Sequence, residues 1–303
     1  MTKIPILRLV PQQKTTPPEE KTEEGNSQFG WEDKRVAETY NNYGQQFTMY
    51  KLTSEYLVDL VQISPGETIV DLACGTGITT TSALVRIGRT GEIFAIDMSG
   101  AMLEKAKLNV RAENIEFIQA RSERIARVIP RKVDCVICNS AFWQFPQKEQ
   151  TLRGIRQILK PEGRFVFNLP EQVFDFGNED VKVKSTVTAL NQEIEQELGS
   201  RNYTIEKPKH PTRRRYNYWF VIEMLGRTGF RVEKYDIFRF ERPLEEIIEF
   251  FKIPTMGTPM LKSVPYEERV QVLNSVKEKL EEKGIKVFPS RWAYFVCRPI
   301  VHE

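Results

Sequence analysis

The run Ile69-Val70-Asp71-Leu72-Ala73-Cys74-Gly75-Thr76-Gly77-Ile78-Thr79-Thr80 carries an apolar strand into a Gly-x-Gly turn and straight out into a helix. Glycines in such a turn let the backbone bend sharply and let a ligand approach its atoms closely. The helix that follows begins with backbone N–H groups that have no intrahelical partner. A second apolar strand, residues 92–96, closes on Asp97, 22 residues beyond Gly75. An acidic side chain at that place can accept hydrogen bonds from both hydroxyls of a ribose.

Working outward, the same alternation continues. Residues 115–119, 133–138 and 164–168 read as further strands, and 78–87, 101–112 and 148–159 as helices. Near-continuous apolar strands alternating with amphipathic helices predict an α/β, doubly wound, mostly parallel sheet covered on both faces. After Pro170 the rhythm breaks. A helical stretch near 185–198, a helix over 216–228, a strand over 230–238, two runs of helical apolar spacing (Leu244 to Phe251 and Val270 to Leu280) and a last strand over 291–298 follow. The expected organisation is a disordered tail over 1–29, an N-terminal helical cap over 30–64 and a core over 65–170. A cap insertion over 171–215 follows, and 216–303 completes the sheet around a helical insertion at 243–288. Insertions at the carboxyl edge of such a sheet lie over its crevice.

Composition bounds the function. With 303 residues the chain can build a core without disulfide or metal staples. Forty-four basic and 41 acidic residues leave a formal charge of only +3, which does not favour nucleic acid as partner. No apolar run reaches the ~18 residues of a membrane span, and the first residues lack an export signal, so a cytoplasmic location is expected. Cys135 and Cys138 form a Cys-x-x-Cys within an apolar strand, where residues three apart point to opposite faces. They are therefore expected in the core, and no metal site is expected.

A dinucleotide site wants a third glycine, in G-x-G-x-x-G, and that place is held by Thr80. S-adenosyl-L-methionine has no pyrophosphate to dock and fits the shorter turn. The sequence resembles a class I S-adenosylmethionine-dependent methyltransferase of the small-molecule type. The residues carrying the likeness are Val70 to Gly77, Ile96-Asp97-Met98-Ser99, Phe117 to Glu123, Val133 to Asn139 and Leu159 to Phe165, within roughly 35–170. The resemblance implies a seven-stranded Rossmann-like methyltransferase fold with helical cap insertions. It also implies S-adenosyl-L-methionine as cofactor, with Asp71, Ala73, Gly75 and Gly77 around its methionine part. Asp97 would hold the ribose, Met98 would pack on the adenine, and Arg121 and Ser122 would edge it. Asn139 would sit near the amino group and the sulfonium, and Tyr43 and Tyr40 would close over the site. Two departures stand out. The family often has glycine where this chain has Ala73, and many members have aspartate where it has Arg121, which changes the side chain offered to the adenine amino group.

Methyl transfer from a sulfonium is an in-line displacement that needs orientation more than a catalytic triad, and no triad is readable here. Phe142 and Trp143 could wall a flat acceptor against the cation or simply pack under the next helix. The run Lys207-Pro208-Lys209-His210-Pro211-Thr212-Arg213-Arg214-Arg215 has five basic residues and no acidic one. Arg213 there suits an anionic acceptor, and His210 is the one weak candidate for a general base; a solvated loop is the plainer alternative. The expected reaction is methylation of a small organic acceptor, with oxygen the expected atom and nitrogen or carbon the alternatives. RNA or protein as acceptor, or a binding protein without transfer, are the alternatives. The sequence leaves the oligomeric state open.

Overall fold

The structure, a computed structural model, describes residues 30–178, 180–203, 216–257, 259–261 and 264–301. Helices α1 (Lys34–Gln46) and α2 (Met49–Val61) lead into β1 (Thr68–Leu72), α3 (Ile78–Ile87), β2 (Glu92–Asp97) and α4 (Gly100–Asn109). Strand β3 (Ile115–Gln119), the single turn α5 (Ile125–Val128), β4 (Val133–Cys138), α6 (Lys148–Ile158) and β5 (Leu159–Pro170) follow. Then come the two-residue β6 (Phe174–Asp175), α7 (Val181–Ser200), the two-residue β7 (Tyr216–Asn217), α8 (Tyr218–Arg227), β8 (Phe230–Pro243), α9 (Leu244–Lys252), α10 (Tyr266–Glu282) and β9 (Val287–Pro299).

Seven strands form one sheet in the order β3-β2-β1-β4-β5-β9-β8. The first five are parallel, and β9 runs antiparallel to both β5 and β8. This is the doubly wound sheet the sequence predicts. The parallel strands are apolar throughout because both faces are covered. On β4, Val136 and Cys138 enter the core beneath α6 and α8, while Cys135 and Ile137 enter the core beneath α2 and α3. The two cysteines thus sit on opposite faces as free thiols, and burial pushes the Cys135 thiol up to about 12.

The antiparallel arms β8 and β9 are longer than their sequence reading, pairing as far as Pro243↔Val287. Residues 239–243 alternate Arg, Phe, Glu, Arg, Pro, a half-exposed ladder without the apolar run of a buried strand. Between the arms, α9 and α10 pack with α7 around a third core of Leu190, Ile194, Ile248, Leu273, Val276 and Phe288. The N-terminal helical stretch is two helices because Phe47 is extended, with φ −116°. The 216–228 helix starts at Tyr218, since Tyr216 and Asn217 pair with Phe174 and Asp175 and the Asn217 side chain accepts from Phe220 N.

Candidate active site

The chain leaves β1 through three positive-φ residues, Ala73 at 61°, Gly75 at 55° and Gly77 at 90°. Cys74 N–H donates to Ile96 O (2.9 Å) and Gly77 N–H to Cys74 O (3.0 Å), so the turn is tied to β2 and closed on itself. The two glycines serve different ends. A Cβ on Gly75 would meet Tyr40 Cε1 at an ordinary 3.6 Å, so its face toward the cleft is open and only φ demands glycine. A Cβ on Gly77 would lie 2.7 Å from Val110 Cγ2 and 3.5 Å from Ala106 Cβ. Gly77 therefore lets α3 start against α4 and does not line the cleft. Ala73 holds a left-handed conformation that costs an L-residue about 1–2 kcal/mol.

Asp97, 8% exposed, accepts from Gly75 N through Oδ2 and from Ser99 N through Oδ1, each at 2.9 Å. A carboxylate has about four lone-pair sites, so with Met98 N–H as a third backbone donor it still keeps acceptor capacity for a ligand. Burial raises its pKa, and these N–H donors pull against that rise. Ser99 then caps α4, accepting from Met102 N at 3.1 Å. Asp71 lies behind the turn and outside the cleft lining. Its Oδ2 accepts from Thr80 Oγ1 at 2.6 Å, while Oδ1 is buried without a partner. Burial pushes the Asp71 carboxyl up to about 7, with Thr80 opposing and Asp97 adding to the rise.

Around this turn opens a cleft of about 880 Å³, open solvent at its mouth included. Leu72, Ala73 and Gly75 form its floor, with Asp97 and Met98 at the end of β2. Ala120, Arg121, Ser122 and Glu123 close one end; Asn139, Ser140 and Ala141 after β4 form the opposite side, with Gln144, Phe145 and Pro146 beyond. Trp31 from the turn before α1 and Tyr40 and Tyr50 from the N-terminal helices roof it, and Met256 reaches it from the segment after α9. A smaller annex bounded by Cys74, Thr76, Ile78 and Thr79 shares Tyr40, Tyr50, Ala73 and Asn139 with the cleft.

A polar network fixes the β4 side. Asn139 Nδ2 donates to Ser54 Oγ (3.0 Å) and Thr53 Oγ1 (3.3 Å), and Asn139 Oδ1 accepts from Asn168 Nδ2 (2.5 Å). Ser140, at φ 59°, donates its N–H to Asn168 Oδ1 (2.7 Å). Of the roof tyrosines, Tyr50 is buried and Tyr40 half-buried. Burial lifts both phenols, Tyr50 to about 12 and Tyr40 well above its usual value.

Of the residues singled out from sequence, the cleft brings together Tyr40, Ala73, Gly75, Asp97, Met98, Arg121, Ser122 and Asn139. Tyr43 lies elsewhere. It is buried, its hydroxyl donating to Glu246 Oε1 (3.1 Å) and accepting from Arg242 Nη2 (2.9 Å), so it joins α1 to α9. Phe142 is fully buried against Phe167, with ring centroids 4.4 Å apart, and Trp143 packs edge-on to Trp292 at 6.2 Å; neither lines the cleft. The 3-10 turn Phe142–Gln144 points its first ring inward and delivers Gln144 and Phe145 to the cleft instead. His210 and Arg213 lie outside the described residues. Tyr50, Glu123 and Met256 also line the cleft, and Asn168 supports it through Asn139 and Ser140 from another strand end, a pairing that sequence alone does not display. Among the described residues no group of three or more His, Cys, Asp or Glu is arranged to hold a metal, and no helix is long and apolar enough to cross a membrane.

The strand order, the single reversed strand β9, the left-handed turn after β1 and the acid closing β2 define a class I S-adenosylmethionine-dependent methyltransferase fold. A family described as a methyltransferase domain matches residues 63–250, well over half of the chain, and the chain belongs to that family. Among curated proteins it is similar to the ubiquinone/menaquinone biosynthesis C-methyltransferase UbiE of Salmonella arizonae, 28% identical over 137 residues. That match covers 43% of this chain and 54% of the relative, so the chain spans about half the length of the curated relatives it matches. Among solved structures it resembles a SAM-dependent methyltransferase from Geobacter sulfurreducens in complex with S-adenosyl-L-homocysteine, with TM-score 0.51, 15% identity, 86% of this chain and 98% of that one. It also resembles the cyclase SpnF, with TM-score 0.55, 12% identity and coverage of 89% and 94%. At these identities the likeness is one of fold.

Proposed function

We propose that the cleft binds S-adenosyl-L-methionine and transfers its methyl group to a small organic acceptor. The observation that carries this reading is Asp97. It is buried at the cleft wall, held in place by backbone N–H groups, and keeps acceptor capacity for a ribose hydroxyl. Met98 would pack on the adenine, Arg121 and Ser122 would edge it, and Ala73, Gly75 and Asn139 would surround the methionine part toward the annex. Asp71 and Gly77 act from behind, one as a buried anion facing a cationic ligand through the turn, the other by seating α3 on α4. When bound, the cofactor supplies a methyl group made electrophilic by its sulfonium.

The chain's own part is to orient and to exclude water, and orientation alone can contribute about 7–11 kcal/mol. The roof phenols are held protonated near neutral pH, so Tyr40 and Tyr50 act as donors and not as bases. An acceptor that brings its own electron-rich centre, such as a hydroxylated ring or an enol, suits this site best. Transfer to its oxygen is the reading from sequence. Transfer to carbon is the second reading, favoured by the name of the curated relatives. An anionic acceptor group would depend on Arg213, outside the described residues. Helices α7, α9 and α10 serve in this reading as the cap that delivers Met256 to the acceptor end.

The test is incubation of the protein with methyl-labelled cofactor and a panel of hydroxylated aromatics and enols, products being read by mass and by carbon NMR. Label in a methoxy or ring-methyl position supports the reading and tells the two apart. Label found only in RNA or protein, or cofactor bound with no transfer to any acceptor or extract, contradicts it.

A further inference from the structure

The roof of the cleft is one aromatic layer. Tyr40 lies against the Gly75 turn, and its ring is 5.0 Å from Tyr50 and 5.9 Å from Trp31. Away from the cleft the layer continues through Tyr43, 5.8 Å from Tyr50, to Phe250 on α9, 5.7 Å from Tyr43. At that far end Glu246, 1% exposed, faces Arg242. Glu246 Oε1 accepts from the Tyr43 hydroxyl (3.1 Å) and from Met49 N–H (2.9 Å), and Arg242 Nη2 donates to the same hydroxyl (2.9 Å). Tyr43 follows Tyr40 by three residues on α1, and Met49, the first residue of α2, precedes Tyr50. Thr48, at the N-cap of α2, makes no side-chain cap, so a carboxylate from α9 takes up one of the open N–H groups there. Burying a carboxylate and a guanidinium carries a desolvation cost that an apolar contact between the same helices avoids. What the pair adds is direction: one oxygen holds both roof helices across the break at Phe47.

We infer that Glu246, balanced by Arg242, is a positioning residue for the transfer: from the cap it fixes Tyr40 and Tyr50 over the bound cofactor. The inference rests on the cofactor reading above. It also ties two walls of the cleft to one element. The segment after α9 is held by Arg269, which donates to Pro254 O (3.1 Å) and Met256 O (2.6 Å), and it carries Met256 into the cleft. The roof and the Met256 wall are thus both referenced to α9. Cutting the tether frees the roof to lift, so the cofactor leaves sooner and water enters, while Asp97 and the turn below keep their own backbone contacts.

The test uses two double variants of the full chain, neither of which leaves an unpaired buried charge. Arg242→Met with Glu246→Gln keeps an acceptor oxygen for Tyr43 and Met49, and Arg242→Met with Glu246→Leu removes it. Thermal melting checks folding, stopped-flow displacement reads the release rate of S-adenosyl-L-homocysteine, and hydrogen exchange reads the roof helices. The glutamine variant is expected to release the compound within about threefold of the parent rate, and the leucine variant about tenfold faster than the parent or more, the worth of one buried hydrogen bond. Exchange should quicken over α1 and α2 of the leucine variant and stay unchanged over β1 to β4. Ile158→Ala, at the amino end of the sheet, serves as a destabilised control and should release at the parent rate. A folded leucine variant that releases no faster than the glutamine variant, or a control that releases as fast as the leucine variant, overturns the inference and leaves the cofactor reading intact. Should the leucine variant not fold, Tyr43→Phe decides, since it keeps the ion pair and loses only the hydroxyl. Release about threefold faster than the parent is then expected, and the parent rate overturns the inference. A parent that binds no S-adenosyl-L-homocysteine overturns both.

Discussion

In the helical cluster of α7, α9 and α10, Glu193 is paired with Lys283, and Glu197 with Arg201 (2.9 Å) and Lys279 (2.5 Å). Buried Arg269 donates to the carbonyls of Phe251, Ile253, Pro254 and Met256. At the cleft the buried charges are left differently. Asp71 and Glu123 each keep an oxygen without a partner, and Ala73 and Ser140 hold left-handed backbone. The buried charged groups of these helices have partners, and what is left over beside them is a hydroxyl, Thr255 Oγ1, and Arg242 Nε. The cleft and the layer directly behind it carry uncompensated polar atoms and backbone strain together, the combination that marks functional sites.

Substitutions can break this contrast, beginning with the largest effect. Arg269→Met takes the guanidinium from four carbonyls, of which Ile253 O keeps Met256 N–H, and should cost about 3 kcal/mol or more in urea unfolding from the buried acceptors left unpaired; a cost below ~1 kcal/mol would mean the cluster is not held this way. Gly77→Ala should cost about 2–4 kcal/mol, from the positive φ and the 2.7 Å approach to Val110 together. Gly75→Ala should cost only the backbone part, about 1–2 kcal/mol.

Asp71 sharpens the contrast through pH. Its carboxyl titrates near 3.8 when unfolded and near 7 when folded without ligand. Between those values the folded form binds the extra proton, so this group makes stability fall as pH rises from about 4 to about 7 and level off above. Asp71→Asn removes that loss. At pH 8 the ligand-free variant should exceed the wild type by on the order of 2 kcal/mol, a gain that vanishes below pH 4. Equal pH profiles of unfolding for the two proteins would show that Asp71 is not strained. The smallest effect is expected of Ala73→Gly, which relieves left-handed strain and gives back part of it as unfolded-state entropy. A net gain of up to about 1 kcal/mol should appear in thermal melting.

The turn around Gly75 and the acid at Asp97 were legible because a parallel strand is an uninterrupted apolar run and its ending is marked by the residues that follow. The same logic placed Cys135 and Cys138 on opposite faces. Aromatic neighbours were harder. Tyr40 and Tyr43 lie three apart on α1, yet one roofs the cleft while the other meets Glu246, 203 residues away. Phe142 and Phe145 differ only in which side of a 3-10 turn they leave. Asn168 was invisible because its partners, Asn139 and Ser140, come from another strand end. The arms of β8 and β9 outran their reading because a half-exposed ladder lacks the apolar signature of the inner strands.

The most direct measurement is a calorimetric titration of the purified protein and its Asp97→Asn variant with S-adenosyl-L-homocysteine at neutral pH. One equivalent should bind to the parent, with affinity at least tenfold weaker in the variant and both proteins folded. A folded parent that takes up none, or a variant that binds as tightly as the parent, would contradict the assignment of this cleft to an adenosyl cofactor.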